Sequence, residues 1–319
     1  GILTLARDPD CRGVAQFKHG VPIGVDVEMP RVPEVFEEQV RWKLEPEEAF
    51  ELETGNHKSV KEFEEQVEAQ FDEEVREGLM AKFTVAGFKK KYGERTAISA
   101  LAVVAEKDKI RVLHDATHVT CVNNRIKVRD KIRMPTIREV KCLLLEHKKA
   151  GTVPFVLKAD VSKAHRRVKV RAEDHGLLAC RTSDDSDYVY TNLVGTFGVS
   201  SAAYWWTRLL AMLVRATAAV VGNILYDLLV YADDLSFWAA SDEEKDQVMW
   251  AIIIMVALGT PLKASKFRGG TAVDWIGLHI DTRLYAVGLS EDRARWLVNW
   301  IESTLKAGLI LPRDFAAAL

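Results

Sequence analysis

Two acidic positions in this 319-residue chain stand at the ends of apolar runs. Asp160 follows PFVLKA, and Asp233 and Asp234 interrupt LLVYADDLSFWA. A carboxylate pair at the tip of a buried hairpin is costly unless a cation compensates it. Hard oxygen ligands drawn from distant positions suit Mg2+, which often takes one or two carboxylates and completes its shell with water and phosphate oxygens. Two such ions about 3.5–4 Å apart can stabilise the attacking and leaving oxygens of an in-line phosphoryl displacement. Asp is also a favoured turn residue, so an Asp-Asp pair alone proves little. Asp184-Asp185 in SDDSD serves as an internal control: its flanks are polar and it reads as a solvent-exposed turn, whereas the flanks of Asp233-Asp234 are apolar.

The elements that would position these groups follow from periodicity. Residues 1–33 show no clear period and read as irregular. Val60, Phe63, Val67, Phe71, Val75 and Leu79 recur at three or four residues and predict an amphipathic helix ending near Gly78. Ile98 to Ala105 reads as a strand, Lys107-Asp108-Lys109 as a turn, and Ile110 to Leu113 as its continuation. A helix after Pro135 ends at Gly151. Val153 to Leu157 is a short buried strand leading to Asp160. Leu177–Arg181 and Tyr188–Val194 form a hairpin around SDDSD, Ser200 to Val214 a helix, and Asp227–Tyr231 with Leu235–Ala239 a second hairpin. A helix over Asp242–Leu258 is capped by Ser241 or Asp242 and ends at Gly259. Val273 to Ile280 reads as one strand paired with Tyr285–Leu289, and Ser290 caps the last helix. The order predicts an α+β sheet with helices on one face rather than a regular βαβ alternation.

Composition narrows the class. Apolar residues make up 48% and the net charge is −2, as in an ordinary globular chain. Cys11, Cys121, Cys142 and Cys180 contain no C-x-x-C pair, so neither a structural zinc site nor a secreted disulfide scaffold is expected, and a reducing, intracellular compartment (nucleus or cytoplasm) fits better. No apolar stretch is long enough for a membrane span, and no signal peptide opens the chain. G-x-x-x-x-G-K-S/T and G-x-G-x-x-G are absent. Charge is segregated: residues 34–77 hold 16 acidic and 5 basic residues, and residues 82–141 hold 15 basic and 6 acidic. The basic block is interleaved with apolar residues, as a folded face for a polyanion would be. The acidic block is expected to pack against the basic region or another domain of a longer parent. An opening Gly and a closing AAAL suggest such a parent.

YADD, Tyr231 to Asp234, resembles the catalytic tetrapeptide of reverse transcriptases, and it comes in ordered company. KADVSKAHRR (158–167) resembles the family's first palm motif, TFGVSSAAYWW (196–206) its P-F-G helix motif, ASKF (264–267) its lysine motif and WIGLHI (275–280) its primer-grip hairpin. EKDKIRVLHDATHVTCVNNRI resembles the fingers segment, and GLMAKF the stretch before it. The likeness covers roughly residues 75 to 300.

The resemblance implies a right-hand polymerase fold with an antiparallel palm sheet backed by helices. It divides the chain into an N-terminal extension with the acidic segment (1–75), fingers (76–152), palm (153–285, with a fingers hairpin at about 166–197) and the start of a truncated thumb (286–319). It implies an RNA-directed DNA polymerase of a retroelement, a nucleotidyltransferase acting on an RNA template, a DNA or RNA primer and dNTP with two Mg2+ ions, or Mn2+ in their place. Asp160, Asp233 and Asp234 would be catalytic and would hold the metals, together with the backbone carbonyl of Val161. Lys107, Arg111, His165, Phe197, Gly198 and Lys266 would bind the nucleotide, with Lys263 a competitor for Lys266. Trp275, Ile276 and Gly277 would grip the primer, while Tyr204, Trp205 and Trp206 read as core. Apart from the order of the motifs, each cation reads first as a solvated surface charge, and the small residues after Gly198 are compatible with plain helix packing.

Three departures matter. The position five after the first Asp is His165 where the family is usually aromatic, which opens sugar selection, because a ring nitrogen can hydrogen-bond a hydroxyl. Thr196 and Ala203 replace the two prolines of the helix motif. No RNase H or endonuclease pattern follows. Two other readings share the fold: an RNA-templated polymerase using NTPs, against which YADD rather than GDD argues, and a non-catalytic nucleic-acid or protein-binding scaffold, which loss of a carboxylate would mark.

Overall fold

The computed structural model describes residues 1–40, 51–105, 109–312 and 315. The chain forms two compact units that interleave in sequence. The first comprises Gly1–Arg133 and Lys163–Ala219, the second Met134–Ser162 and Val220–Leu319.

A five-stranded sheet runs through the first unit in the order Met80–Thr84, Tyr188–Asn192, Ala179–Cys180, Ile98–Ala105, Ile110–Asp115. Neighbours are antiparallel except Ile98–Ala105 and Ala179–Cys180, which run parallel. The hairpin around SDDSD forms as expected, whereas Leu177 and Leu178 close a 3-10 segment, Ala172–Leu178, instead of entering the strand. Residues 106–108, including Lys107 and Asp108 of the expected turn, lie outside the described residues.

The acidic helix is Glu64–Arg76, shorter than its periodicity suggested. Val60 sits in a separate 3-10 turn, and Leu79 follows Gly78 into the next strand. Val67 and Phe71 are buried with Val60, Met80, Leu101, Val103 and Tyr190. The opposite side of the helix is matched by bases of the same unit. Lys82 donates to Asp72 at 3.1 Å and Glu68 at 3.3 Å, Lys163 pairs with Glu77, and Arg166 with Glu74. This part of the acidic block is therefore built into the first unit.

Residues 1–33 are more ordered than their lack of period implied. They contain the short helices Ile2–Leu5 and Val14–Lys18, and Val21, Ile23, Val25, Met29 and Val32 are buried. Buried carboxylates fasten them. Asp10 accepts two bonds from Arg208 (2.6 and 2.8 Å), and both side chains are buried. Asp174 accepts from Arg95, Arg171 and the Ile23 N–H. Breaking such a buried pair from one side costs about 3–5 kcal/mol. Arg208 lies on the helix Ser200–Val221, which continues beyond the expected Val214 and buries Tyr204, Trp205 and Trp206 as core.

The second unit is built on a four-stranded antiparallel sheet, ordered Arg268–Gly270, Phe155–Asp160, Asp234–Ala239, Asp227–Tyr231. Val156 and Trp238 pack with Val140 and Leu144 of the helix Ile137–Ala150 and with Val273, Trp275 and Ile280. Phe155, Leu157, Phe237 and Ala239 point the other way and line a groove with Val248 and Met249 of the helix Asp242–Ala257. Helices thus cover both faces of this sheet, not one as expected. The reason is in the strands, which are apolar at consecutive positions, as strands buried on both faces must be. The helix Ile137–Ala150 starts with a reciprocal cap between Thr136 and Glu139.

The single strand expected over Val273–Ile280 is two, Ala272–Trp275 and Leu278–Asp281, antiparallel to each other. They turn at Ile276 and Gly277, both left-handed (φ +47° and +82°), as two-residue hairpin loops of the I′ class require. The Ala286–Leu289 strand pairs with the second of them, and Ser290 precedes the helix Glu291–Ala307 without a side-chain cap bond. All four cysteines are free. Among the described residues no helix is long and apolar enough to cross a membrane.

One buried titratable group gives the first unit a pH dependence. His114, on the Ile110–Asp115 strand, is buried, its ring nitrogens lack hydrogen-bond partners, and burial pushes its pKa from 6.5 down to about 4. The unfolded chain protonates at the ordinary value, so the stabilisation is complete above pH 6.5 and is lost as pH falls towards 4. Unfolding titrations should show up to about 3 kcal/mol lost over that window through this residue. His114→Leu should flatten that portion of the profile.

Candidate active site

Strand register brings the two sequence-distant carboxylates together. The Phe155–Asp160 and Asp234–Ala239 strands pair so that Asp234 stands directly opposite Asp160. The expected hairpin forms, with Ala232-Asp233 as a two-residue loop between Tyr231 and Asp234. Asp233 and Asp234 are half-buried. Burial first, then the charges of Asp233 and Asp160, raises the carboxyl pKa of Asp234 above its ordinary value, and Lys266 and Lys158 only partly offset this. Ala232 holds φ +51°, at the loop position where the II′ class takes glycine.

The backbone beyond Asp160 is stitched down. The Val161 N–H donates to the Asp233 carbonyl, the Ser162 N–H to that of Pro261, and the Lys263 N–H to that of Asp160, each at 2.9 Å. Lys266 is the lysine whose side chain reaches the carboxylates, with Nζ 2.6 Å from Asp160 Oδ2, while Lys263 contributes its backbone.

A cleft of about 270 Å3 opens beside the pair, lined by Lys158, Ala159, Asp160, Asp234, Ser265, Lys266, Arg268, Trp275 and Ile276. Two of the three expected grip residues, Trp275 and Ile276, therefore share a cleft with Asp160, Asp234 and Lys266. Gly277 is the second residue of their hairpin loop, and its carbonyl accepts the Ser290 N–H at 3.0 Å. Sequence reasoning assigned no role to Lys158 or Arg268. The signal was strand alternation, which puts Lys158 on the face of Asp160, and the register that sets Arg268 opposite Lys158. Lys158 Nζ donates to the Asp274 carbonyl at 2.6 Å, and Arg268 donates to those of Ser265 and Phe267.

The remaining expected residues lie in the first unit. His165 meets the Phe197 ring edge-on, with centroids 4.7 Å apart. Gly198 has φ +95°, and a Cβ there would sit 1.8 Å from the His114 carbonyl oxygen, so no other residue fits. The loop is held by Asn123, which donates to the Gly198 carbonyl at 2.6 Å and accepts the Ser200 N–H at 2.8 Å. Arg111 is exposed on the Ile110–Asp115 strand, and Lys107 lies outside the described residues.

Chemically, the cleft offers oxygen ligands for a hard cation and a cationic wall for phosphate oxygens. Among the described residues no three His, Cys, Asp or Glu side chains already form a metal-holding group. The burial and neighbouring negative charge that raise Asp234 nevertheless suit Mg2+, which needs only one or two carboxylates.

Two stability measurements follow. The folded-state pKa of Asp234 is raised, so its stabilising contribution is present below the unfolded value of 3.8 and is lost as pH rises through the folded value. Asp234→Asn should therefore stabilise the protein at neutral pH, read as a rise in the thermal melting temperature. Ala232→Gly should relieve the left-handed backbone and stabilise by about 1 kcal/mol in denaturant titration.

No protein-family model matches the sequence, and no curated protein matches it. Solved structures do. The foamy viral protease-reverse transcriptase in complex with dsDNA matches over 89% of this chain and 52% of its own, with TM-score 0.59 and 13% identity. The foamy viral protease-reverse transcriptase dRH with ds DNA matches over 80% and 41%, at TM-score 0.56 and 14% identity. The same viral protein with an RNA/DNA hybrid matches over 80% and 31%, at TM-score 0.56 and 13% identity. This chain thus spans between 31% and 52% of those chains. The likeness is one of fold: a mixed α/β chain with several antiparallel sheets, similar to reverse transcriptase.

Proposed function

We propose that this chain is the RNA-directed DNA polymerase core of a retroelement, transferring nucleotides from dNTP to a primer 3′-hydroxyl on an RNA template. The observation that carries this reading is the pairing of Asp160 with Asp234 at a cationic cleft, within a fold similar to that of reverse transcriptases. The similar structures were solved with dsDNA or an RNA/DNA hybrid, which supports nucleic-acid partners here. In this reading the four-stranded sheet of the second unit is the palm, residues 76–152 belong to the fingers, and the helix Glu291–Ala307 begins the thumb.

Asp160, Asp233 and Asp234 would hold Mg2+, with the Val161 carbonyl as a further donor. When bound, the ions supply Lewis-acid stabilisation of the attacking and leaving oxygens. The chain's own part is positioning and charge. Lys266 and Arg268 take up phosphate oxygens by charge-assisted hydrogen bonds, and Lys158 supports the same wall. Trp275 and Ile276 fix the primer end beside the carboxylates. Such fixed electrostatics are the largest part of catalysis in reactions of this class. Arg111 and Lys107 would bind the triphosphate, and His165, Phe197 and Gly198 would face the nucleotide.

A second reading keeps the chemistry and changes the sugar. His165, edge-on to Phe197, presents an imidazole rather than a phenyl or phenol ring. A hydrogen-bonding group discriminates hydroxyls more strongly than bulk does. Primer extension on an RNA template with Mg2+, offering dNTPs and NTPs separately, decides between them. Extension with dNTPs, reduced at least about 100-fold by Asp233→Asn, is expected. Extension with NTPs would favour the second reading, and extension with neither, despite duplex binding, would leave a binding scaffold.

A further inference from the structure

Residues 126–133 follow the 3-10 turn Asn123–Arg125 and include the two-residue strand Asp130–Lys131, and their exposure alternates. Ile126 and Asp130 are buried and Val128 and Ile132 half-buried, whereas Lys127, Lys131 and Arg133 are exposed and Arg129 half-buried. Four cations thus fall at every second residue, positions that an extended backbone sets about 6.6 Å apart on one face. That spacing is comparable with successive phosphates along a single strand of nucleic acid.

The chain's own acids lie over this row. Glu28 reaches Arg129, Glu37 pairs with Arg133 at 2.6 Å, and Glu38, paired with Arg31 at 2.8 Å, also reaches Arg129 at 3.5 Å. Glu37 and Glu38 add a two-residue antiparallel ladder with Lys131 and Asp130, and the Gln39 N–H donates to the Arg129 carbonyl at 2.7 Å. A cleft of about 520 Å3 separates the two segments. Lys127 and Lys131 have no ion pair among the described residues.

The covering segment is anchored by a buried carboxylate at one point and held elsewhere by a two-residue ladder and exposed ion pairs. Asp130, whose side chain is fully buried, accepts from the Val32 N–H at 2.9 Å, from Arg31 Nε at 3.0 Å and from the Tyr204 hydroxyl at 3.3 Å. By contrast Glu28, Glu37 and Glu38 are 71%, 58% and 49% exposed. Exposed ion pairs of this kind are individually weak and are screened by salt. Such a strap can leave its row while its anchor holds.

We propose that Lys127, Arg129, Lys131 and Arg133 form a docking edge for the phosphate backbone of a single-stranded nucleic acid, and that Glu28, Glu37 and Glu38 occupy it as phosphate surrogates which the nucleic acid displaces. The proposal rests on the nucleic-acid part of the reading above, not on catalysis. The strap sets a threshold: a polyanion engaging the whole row outcompetes it, while an isolated anion does not. Salt dependence follows, because each phosphate contact on a single strand contributes about 0.7 to the slope of log K against log salt.

Oligothymidylate binding, measured over a salt series by anisotropy, tests this. E28Q/E37Q/E38Q should bind about tenfold tighter than the wild type. K127Q/K131Q, which leaves every strap ion pair in place, should bind more weakly with a slope shallower by about 1.4. In the wild type, the oligonucleotide should speed amide hydrogen exchange at Glu37–Gln39 while Val32 stays protected. Unchanged affinity in the strap variant, with unchanged exchange, overturns the strap. Unchanged slope in the lysine variant, or no binding by any variant, overturns the docking edge. Primer extension on the same preparations separates the two ideas. Lost extension with the strap effect intact removes only the polymerase, and intact extension with unmoved binding removes only the strap.

Discussion

Everything in the second unit depends on a register that electrostatics alone would reject. Asp160 and Asp234 face each other across two strands, and Asp233 stands in the adjoining loop. The register is nonetheless fixed, because a slip of one residue would carry Phe237 and Trp238 to the wrong faces of a sheet packed on both sides. Hydrophobic burial holds the carboxylates where their mutual repulsion would part them. The residue of that conflict is visible in the raised pKa of Asp234, the left-handed Ala232 and the ion pair from Lys266 to Asp160. Strain stored where function is proposed is the expected pattern for a site completed by a ligand.

The first unit solves a different problem. Its long N-terminal segment has little apolar periodicity with which to bind itself to a sheet, so buried acids do the fastening. Asp10, Asp130 and Asp174 each gather donors from segments far away in sequence. Asp130 and Asp174 are each satisfied by arginine together with other donors, and Asp10 by two bonds from Arg208, which is what makes a buried carboxylate tolerable. The surface acids of the Glu64–Arg76 helix act more weakly, through exposed or half-buried pairs with Lys82 and Lys163, and Arg166 with Glu74 is the one pair there that is largely buried.

Much of this was legible before any coordinates. The hairpin carrying Asp233 and Asp234, the strand ending at Asp160, the helix stopped by Gly151 and the longer helix after Ser200 follow from period and turn residues, and from them the meeting of two distant carboxylates. What was not legible was set by partners far away in sequence. No local pattern ties Arg208 to Asp10, so residues 1–33 looked irregular. The mostly apolar stretch WIGLHI from Trp275 to Ile280 hid a reversal, because Ile276 is a β-branched residue in a left-handed conformation that only its tertiary setting imposes. Coverage of both sheet faces could have been read from FVLKA and LSFWA, whose apolar residues do not alternate with polar ones. Lys158 and Arg268 were overlooked because the cleft wall they share is made by strand pairing, which spacing alone does not reveal.

The interleaving of the two units has a consequence for how the chain comes into being. Residues 134–162 are made after the bulk of the first unit and before the part that completes it, Lys163–Ala219. At a synthesis rate of about 5–20 residues per second, the Phe155–Asp160 strand emerges seconds before Asp234–Ala239 exists to pair with it. A strand that is apolar on both sides and lacks both neighbours is a template for association with other nascent chains. The high sequence separation of these contacts also makes their closure intrinsically slow. The architecture that brings the carboxylates together thus leaves an apolar strand unpaired while the intervening chain is made, and ties the yield of folded protein to whatever shields that strand during translation.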